Sequence, residues 1–387
     1  MSRSILIVGA GEFGLTAALE LQRRDWSVTV IDPGPVPRDT AASTDISKVV
    51  RMDYGADEQH TVLGEAAIAG WHLWNKQWGE TLYHEDGFLV LASEPTQSGG
   101  FEYESFQKLN ARGHKLERLD SAELRKRFPD WNSEKFRDGY FNPRGGWAEN
   151  GNVIARLVRE VKASGVIVRE GVAFGRLLES GSRITGIVTA AGETLSADAV
   201  LIAAGAWTPT LLPELGDVMW ATGQPVVHLQ VQSPSKWQAP RFPVWAADIA
   251  RTGWYGFPAL DDGRLKLANH GPGRRVRPDE PRIVIESEIH RFREFLRESL
   301  PSLAYAPIAA TRLCLYCDTF DGSFWIDHDP DRPGLIVAAG DSGHALKFAP
   351  VLGGLIADAV ERKPNPFLAR YAWREPKAKV AESARAT

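Results

Sequence analysis

Residues 4–8 (SILIV) form a short, unbroken apolar run, the pattern of a strand buried on both faces of a parallel sheet. Leu15, Ala18 and Leu19 then recur at helical spacing and predict a helix over 15–24. Residues 28–31 (VTVI) predict a second strand with Asp32 at its end, so the chain opens with a βαβ unit. Farther on, Val62, Leu63, Ala66, Ala67 and Trp74 predict an amphipathic helix over 57–78, and an Asp-Gly turn precedes a strand at 88–91. Asp120 and Glu123 are an expected N-cap and its capping partner, with Pro129 closing that helix. A helix over 152–164 ends at Gly165, followed by strands at 166–169, 183–189, 194–198 and 200–203. Residues 226–267 read as a turn-rich antiparallel sheet and 285–300 as a helix. A last buried strand at 335–339, a turn at 340–344 and a helix at 349–361 complete the pattern.

This order predicts an α/β protein in which a Rossmann-type domain is interleaved with an α+β domain built on an antiparallel sheet. Residues 1–85, 146–220 and 321–375 fall to the first domain, and 86–145 and 221–320 to the second. The charged, alanine-rich stretch 376–387 is expected to fray. There is no internal repeat and no long linker.

Composition narrows the classes. The chain has 387 residues with a net charge of -4, which gives no electrostatic reason to expect nucleic acid or an anionic membrane as partner. No run approaches the ~18 apolar residues of a membrane span, and the start runs into a strand rather than a signal peptide. The two cysteines, Cys314 and Cys317, exclude a disulfide-stapled scaffold and make a cytoplasmic enzyme the expectation. Asp327, Asp329 and Asp331 alternate like metal ligands, but their prolines mark a solvated turn, so no metal is expected.

The turn after the first strand carries the first sign of chemistry. In G-x-G-x-x-G the first glycine allows a tight turn, the second lets the backbone approach a pyrophosphate, and the third allows close helix–strand packing. Gly9, Gly11 and Gly14 hold these positions, and Asp32 is placed to accept hydrogen bonds from ribose hydroxyls. The alternative is a tight turn whose glycines serve sterics alone. The motif does not separate NAD from FAD.

Five further segments carry a resemblance. AAGAWT at 203–208 resembles the "AGAW" turn of the D-amino-acid-oxidase superfamily, and GDSGHALKF at 340–348 is similar to the "SGHGFKF" segment of monomeric sarcosine oxidase and its relatives. Those relatives include N-methyltryptophan, pipecolate and fructosyl-amino-acid oxidases. RLCLY at 312–316 resembles their flavinylation segment, and YGFP at 255–258 and LKL at 265–267 match two more blocks in family order. Two positions depart: Ala345 replaces a usual glycine, and Lys48 stands where sarcosine oxidase has arginine, as in the fructosyl-amine oxidases.

The resemblance implies FAD held by Gly9, Gly11, Glu12, Phe13, Gly14, Asp32, Ser43, Thr44, Val172, Ala204, Gly205, Trp207, Gly340, Gly343, His344 and Lys347, and bonded covalently through Cys314. It implies that Arg51 and Lys347 bind a substrate carboxylate and that Lys266 assists reoxidation by O2. Tyr255, Tyr316 and His270 would wall the pocket, with Lys48 near substrate or ordered water. Read by residue type alone, Cys314 could instead pair with Cys317 as a redox couple or contribute half a zinc site. Lys266 could be a solvated strand lysine, Arg51 a surface salt-bridge partner and Lys347 a helix-end lysine. The two tyrosines and His270 could be satisfied core residues.

The function implied is oxidation of a secondary-amine amino acid such as sarcosine, another N-methyl amino acid or a fructosyl amino acid. Hydride passes from the carbon beside nitrogen to the flavin, water hydrolyses the imine, and O2 becomes H2O2. The partners expected are that small molecule and O2, in a monomer or weak homo-oligomer. Alternatives are a dehydrogenase of the same fold, a tRNA-modifying flavoprotein and an NAD-binding non-oxidase.

Overall fold

The structure, a computed structural model, describes residues 3–376 and 384–386. Its first sheet runs in the order Trp325–His328, Leu335–Ala339, Ala199–Ile202, Ser4–Val8, Ser27–Asp32, Ile167–Glu170. All neighbours are parallel except the antiparallel edge strand Trp325–His328. Alternation explains why Ser4–Val8 has no polar face. Ile5 and Ile7 pack into one core with Leu15, Ala18 and Leu21, while Leu6 and Val8 pack into another with Ile31, Val200 and Val337. The helix Glu12–Arg23 covers the first face beside Ala349–Val360.

The second sheet runs Arg274–Arg275, Met219–Gln230, Arg264–Asn269, Trp254–Ala259, Val244–Ala247, Phe88–Ala92, Asp138–Asn142, Glu117–Asp120, with Ile308–Thr319 also paired to Met219–Gln230. It is mixed rather than wholly antiparallel, because Val244–Ala247 lies parallel to Phe88–Ala92. These two strands come from distant segments that no hairpin joins, so their direction is not constrained to reverse.

Local signals hold at some element ends. Asp57 accepts from the His60 N–H at the start of Glu58–Trp78, and Gly79 closes that helix with φ +61°. Asp120 accepts from Ala122 and Glu123 N–H groups, but the Glu123 carboxylate faces Lys126 at 3.8 Å instead of closing a capping box. Several elements escape the periodicity, Phe101–Ala111 and Phe174–Ser180 among them. Phe101–Ala111 buries only Phe101, Ser105 and Leu109, a stripe too narrow and too polar to stand out. Phe174–Ser180 is a half-exposed hairpin strand against Arg183–Thr189.

Of the stretch 376–387 expected to fray, 377–383 and 387 lie outside the described residues. Ala384 is buried beside Phe88, Phe101 and Ile249, and the Arg385 guanidinium pairs with both Asp318 oxygens at 2.6 and 2.8 Å. A buried carboxylate and an apolar recess therefore hold these residues in place.

Candidate functional site

Gly9 ends the first strand at φ +107°, and a Cβ there would stand 2.4 Å from the Ala203 carbonyl oxygen. Gly14 is packed as tightly, its hypothetical Cβ lying 1.9 Å from the Gly9 oxygen. A Cβ on Gly11 would meet only Ser43 Oγ at 3.5 Å, so the glycine there keeps open the space above the turn. No side chain caps the helix that begins at Glu12, and its N–H groups and positive dipole end are left for an anionic ligand. Above them lies a cavity of about 370 Å³. Gly9, Gly11, Glu12, Phe13, Asp32, Ser43, Val172, Ala204, Gly205 and Trp207 all line it.

The remaining expected positions sit differently. Gly14 supports the turn from beneath, and Thr44 spends its hydroxyl on the Arg38 and Ala41 carbonyls at 2.6 and 2.9 Å. Asp32 accepts from the Ala10 and Gly34 N–H groups at 3.0 and 3.1 Å. It pins the turn, and each oxygen keeps a second lone pair for a ribose hydroxyl. Gly340, at φ +76°, ends its strand and touches neither cavity wall.

A second cavity adjoins the first, with Glu12 and Asp341 on the walls of both. Lys48, Arg51, Tyr255, His270, Tyr316, Gly343, His344 and Lys347 line it, although they come from four separate stretches of chain. Two cations converge on the ring of Tyr54, Arg51 at 4.5 Å from its centroid and Lys347 at 5.8 Å. Arg51 is buried, donates to the Asp53 carbonyl and stacks on Phe101 at 5.5 Å, and Lys347 donates to the His344 carbonyl at 2.9 Å. Phe88, Phe101, Ala246 and Ile249 supply an apolar wall. The Tyr255 and Tyr316 hydroxyls lie 3.5 Å apart. Burial pushes both phenols up, so each keeps its proton at neutral pH. Gly343 admits the Tyr316 ring, since a Cβ there would stand 2.2 Å from Cε2.

Lys266 does not line either cavity. Leu265 and Leu267 enter the substrate-domain core as alternation requires, but Lys266 on the other face is itself only 1% exposed. Its Nζ lies 2.6 Å from Asp45 Oδ2, donates to the Ser47 carbonyl and stands 4.9 Å from the Phe257 ring. Burial lowers the Lys266 ammonium to about 8 even though Asp45 favours its charge. Asp45 also holds His228 Nε2 at 3.0 Å on its other oxygen. Burial opposes the Asp45 charge, yet Lys266 and His228 outweigh it and keep the carboxyl well below its ordinary range.

The two cysteines sit three apart on the strand Ile308–Thr319, so their sulfurs point to opposite faces. Cys314 packs with Tyr316 and Ala42 behind the cavity walls, its Sγ 3.8 Å from Lys48 Nζ. Cys317 packs against Met219 in the other core, and burial pushes its thiol up. This geometry rules out a redox couple within the strand. Among the described residues no cluster of three His, Cys, Asp or Glu side chains suits a metal. Asp329 instead caps a turn, accepting from the Asp331 and Arg332 N–H groups at 2.9 Å.

Sequence reasoning assigned no role to Asp45, Tyr54, His228, Asp341 or the apolar wall. Asp45 and Asp341 lie inside or beside the quoted motifs. Asp341 accepts from the Cys317 and Gly343 N–H groups at 3.1 and 2.7 Å, and burial with Glu12 nearby raises its carboxyl to about 7. No spacing signals the pairing of Asp45 with His228 and Lys266, because these partners are far away in sequence.

Comparison with known proteins agrees with this geometry. A family described as "FAD dependent oxidoreductase" matches residues 4–359. Monomeric sarcosine oxidase of Bacillus sp. (strain B-0618) is 25% identical over 91% of this chain and 90% of its own. L-saccharopine oxidase of Schizosaccharomyces pombe is 30% identical over 93% and 90%. The solved fructosamine oxidase Amadoriase II of Aspergillus fumigatus superposes with a TM-score of 0.83 at 27% identity, covering 96% of this chain and 90% of that one. With its glycine turn, open cofactor cavity and α/β architecture, the chain belongs to the FAD-dependent oxidoreductase family.

Proposed function

We propose that the protein oxidises an N-substituted amino acid bearing an apolar group, using FAD and O2. One observation carries this reading: a cationic end, Arg51 and Lys347 against Tyr54, shares a cavity with an apolar wall, and that cavity adjoins the dinucleotide site. FAD, when bound, accepts the hydride equivalent from the carbon beside nitrogen and passes the electrons to O2, giving H2O2. Arg51 and Lys347 hold the substrate carboxylate, one as a planar fork and one as a point charge. Anchoring that end holds the substrate in the cavity, in the ground state and the transition state alike. Tyr255 and Tyr316 donate hydrogen bonds at the cavity floor. Phe88, Phe101 and Ile249 receive the apolar group and exclude water. The amine arrives neutral, so no side-chain base is required, and water hydrolyses the released imine.

The test is peroxide release from a panel of N-methyl amino acids of graded side chain, saccharopine and fructosyl amino acids. The expected result is stoichiometric peroxide, with the highest kcat/KM for a branched or aromatic N-methyl amino acid. A fructosyl amino acid turned over best would overturn the apolar assignment, because a sugar needs polar partners. Turnover only with an artificial acceptor would replace the oxidase by a dehydrogenase.

Covalent attachment through Cys314 belongs to the same proposal. The sulfur packs with Tyr316, a wall residue of the second cavity, and lies 3.8 Å from Lys48 Nζ, which lines that cavity too. Cys314→Ser is expected to release the flavin into the supernatant on acid precipitation, whereas wild-type colour stays with the polypeptide. Flavin retained in the variant refutes the linkage. Two free thiols suit a reducing, cytoplasmic setting, and the expected assembly is a monomer or weak homo-oligomer.

A further inference from the structure

We infer that Asp45, clamped by His228, is the counter-ion that keeps Lys266 protonated, and that it is thereby a positioning residue for the reaction with O2. The inference rests on the oxidase reading, in which Lys266 assists that reaction.

The geometry is a bridged carboxylate. Lys266 lies on Arg264–Asn269 and His228 on Met219–Gln230, and the two are direct partners across the antiparallel ladder. Both reach Asp45, Lys266 at Oδ2 and His228 at Oδ1. The Ile46 N–H donates to Oδ1 at 2.7 Å, and the Gly151 N–H donates to the Asp45 carbonyl at 3.0 Å. A Cβ on Gly151 would stand 2.9 Å from that carbonyl oxygen, so Gly151 packs closely against the loop that holds the carboxylate. Asp45 therefore has little freedom to follow its partner.

Lys266 needs such a partner. Its ammonium is buried, and burial drives off the proton of an unpaired ammonium. The other elements around it supply Lys48 from Lys48–Val50, Arg312 and Cys314 from Ile308–Thr319, Tyr255 facing Lys48 from Trp254–Ala259, and the Phe257 ring. Lys48 repels the charge. Among the described residues, Asp45 is the carboxylate paired with it. With Asp45 in place the ammonium titrates at about 8. A lysine is charged below its pKa, and removing a neighbouring anion lowers that pKa. Losing Asp45 is thus expected to move the midpoint to acid by about 1–3 units, leaving Lys266 neutral at the pH where the wild type is charged.

The test compares wild-type and Asp45→Asn holoenzymes. Competitive acylation of Lys266 across pH, read by peptide mass spectrometry, gives its midpoint directly. Reoxidation of substrate-reduced enzyme by O2 is followed over the same range. The expected result is an acid shift of about 1–3 units in both profiles, with the midpoint largely restored by Asp45→Glu. A Lys266 midpoint that stays in place in Asp45→Asn overturns the inference. If Asp45→Asn does not accumulate as folded flavoprotein, Asp45→Ser gives the same readout with room for water. Lys266→Met separates the two readings. Reoxidation at the wild-type rate in that variant refutes the role of Lys266 with O2, while the acylation midpoint still judges its pairing with Asp45.

Discussion

Replacing Arg51 by methionine is expected to lower kcat/KM by roughly 10²–10³-fold, the equivalent of about 3–4 kcal/mol. Most of the loss should appear in KM. A carboxylate anchor holds the substrate ground state and the transition state alike, and loss of such uniform binding raises KM while sparing kcat. The substitution keeps much of the packing, because methionine can still lie along Tyr54 and Phe101, whose rings the guanidinium covers. Arg51 also opposes the burial that raises the Asp53 carboxyl, so the variant's Asp53 should take up a proton more readily. Tyr140 and Asn142 continue to bond that carboxyl at 2.8 and 3.1 Å, which limits the structural damage. Arg51→Lys should recover part of the binding, since it restores charge but not the planar fork. Steady-state kinetics on flavin-loaded protein read the effect. A variant with an unchanged KM for the amino acid, but faster turnover of the matching decarboxylated amine, would move the carboxylate site elsewhere.

The second large effect concerns the glycine turn, where two neighbouring alanine substitutions should fail for different reasons. Gly14→Ala puts a methyl at 1.9 Å from the Gly9 oxygen, against backbone that cannot rotate away. The helix must shift off the strand, at a cost of about 1–3 kcal/mol or more, and melting temperature should fall. Gly11→Ala finds only the Ser43 hydroxyl at 3.5 Å and should fold. Its methyl occupies the space where the backbone would meet a pyrophosphate, so flavin content should drop while the apoprotein keeps its circular dichroism. Thermal melts and the ratio of flavin to protein absorbance separate the two. Equal stability of both variants would show that the packing at Gly14 is not what holds the turn.

How much of this was legible in the sequence depended on how local the cause was. Ser4–Val8 announced itself because both faces of that strand are buried, which leaves no polar position to blur the run. The helix Glu58–Trp78 was legible through the spacing of Val62, Leu63, Ala66, Ala67 and Trp74, because a helix's apolar stripe is set by residues only three or four apart. Phe101–Ala111 was not, although Phe101 supplies part of the cavity's apolar wall. In the site, Gly9 and Gly11 were singled out by the glycine spacing and Arg51 by the resemblance, and all three lie on a cavity wall. The placement of Lys266 was not legible: nothing in LKL at 265–267 shows that Lys266 turns inward to Asp45 and away from the cavity. Asp45 and Lys266 are more than two hundred residues apart, and only the sheet register beside His228 brings them together. Pairings between distant segments leave no period and no spacing in the chain.

The strand Ile308–Thr319 works as a ruler. Cys314, Tyr316 and Asp318 mark it at intervals of two, with the sulfur beside Lys48, the phenol in the cavity and the carboxylate on Arg385. Leu315 and Cys317 fill the cores behind it. Such a segment tolerates exchanges of side chain but not a change of length. One residue inserted between 314 and 316 would turn every mark beyond it to the opposite face. It would turn the phenol away from the cavity and bring Cys317 toward it in place of a carboxylate. Variation in this enzyme's chemistry is therefore open to substitution along the strand and closed to insertion within it.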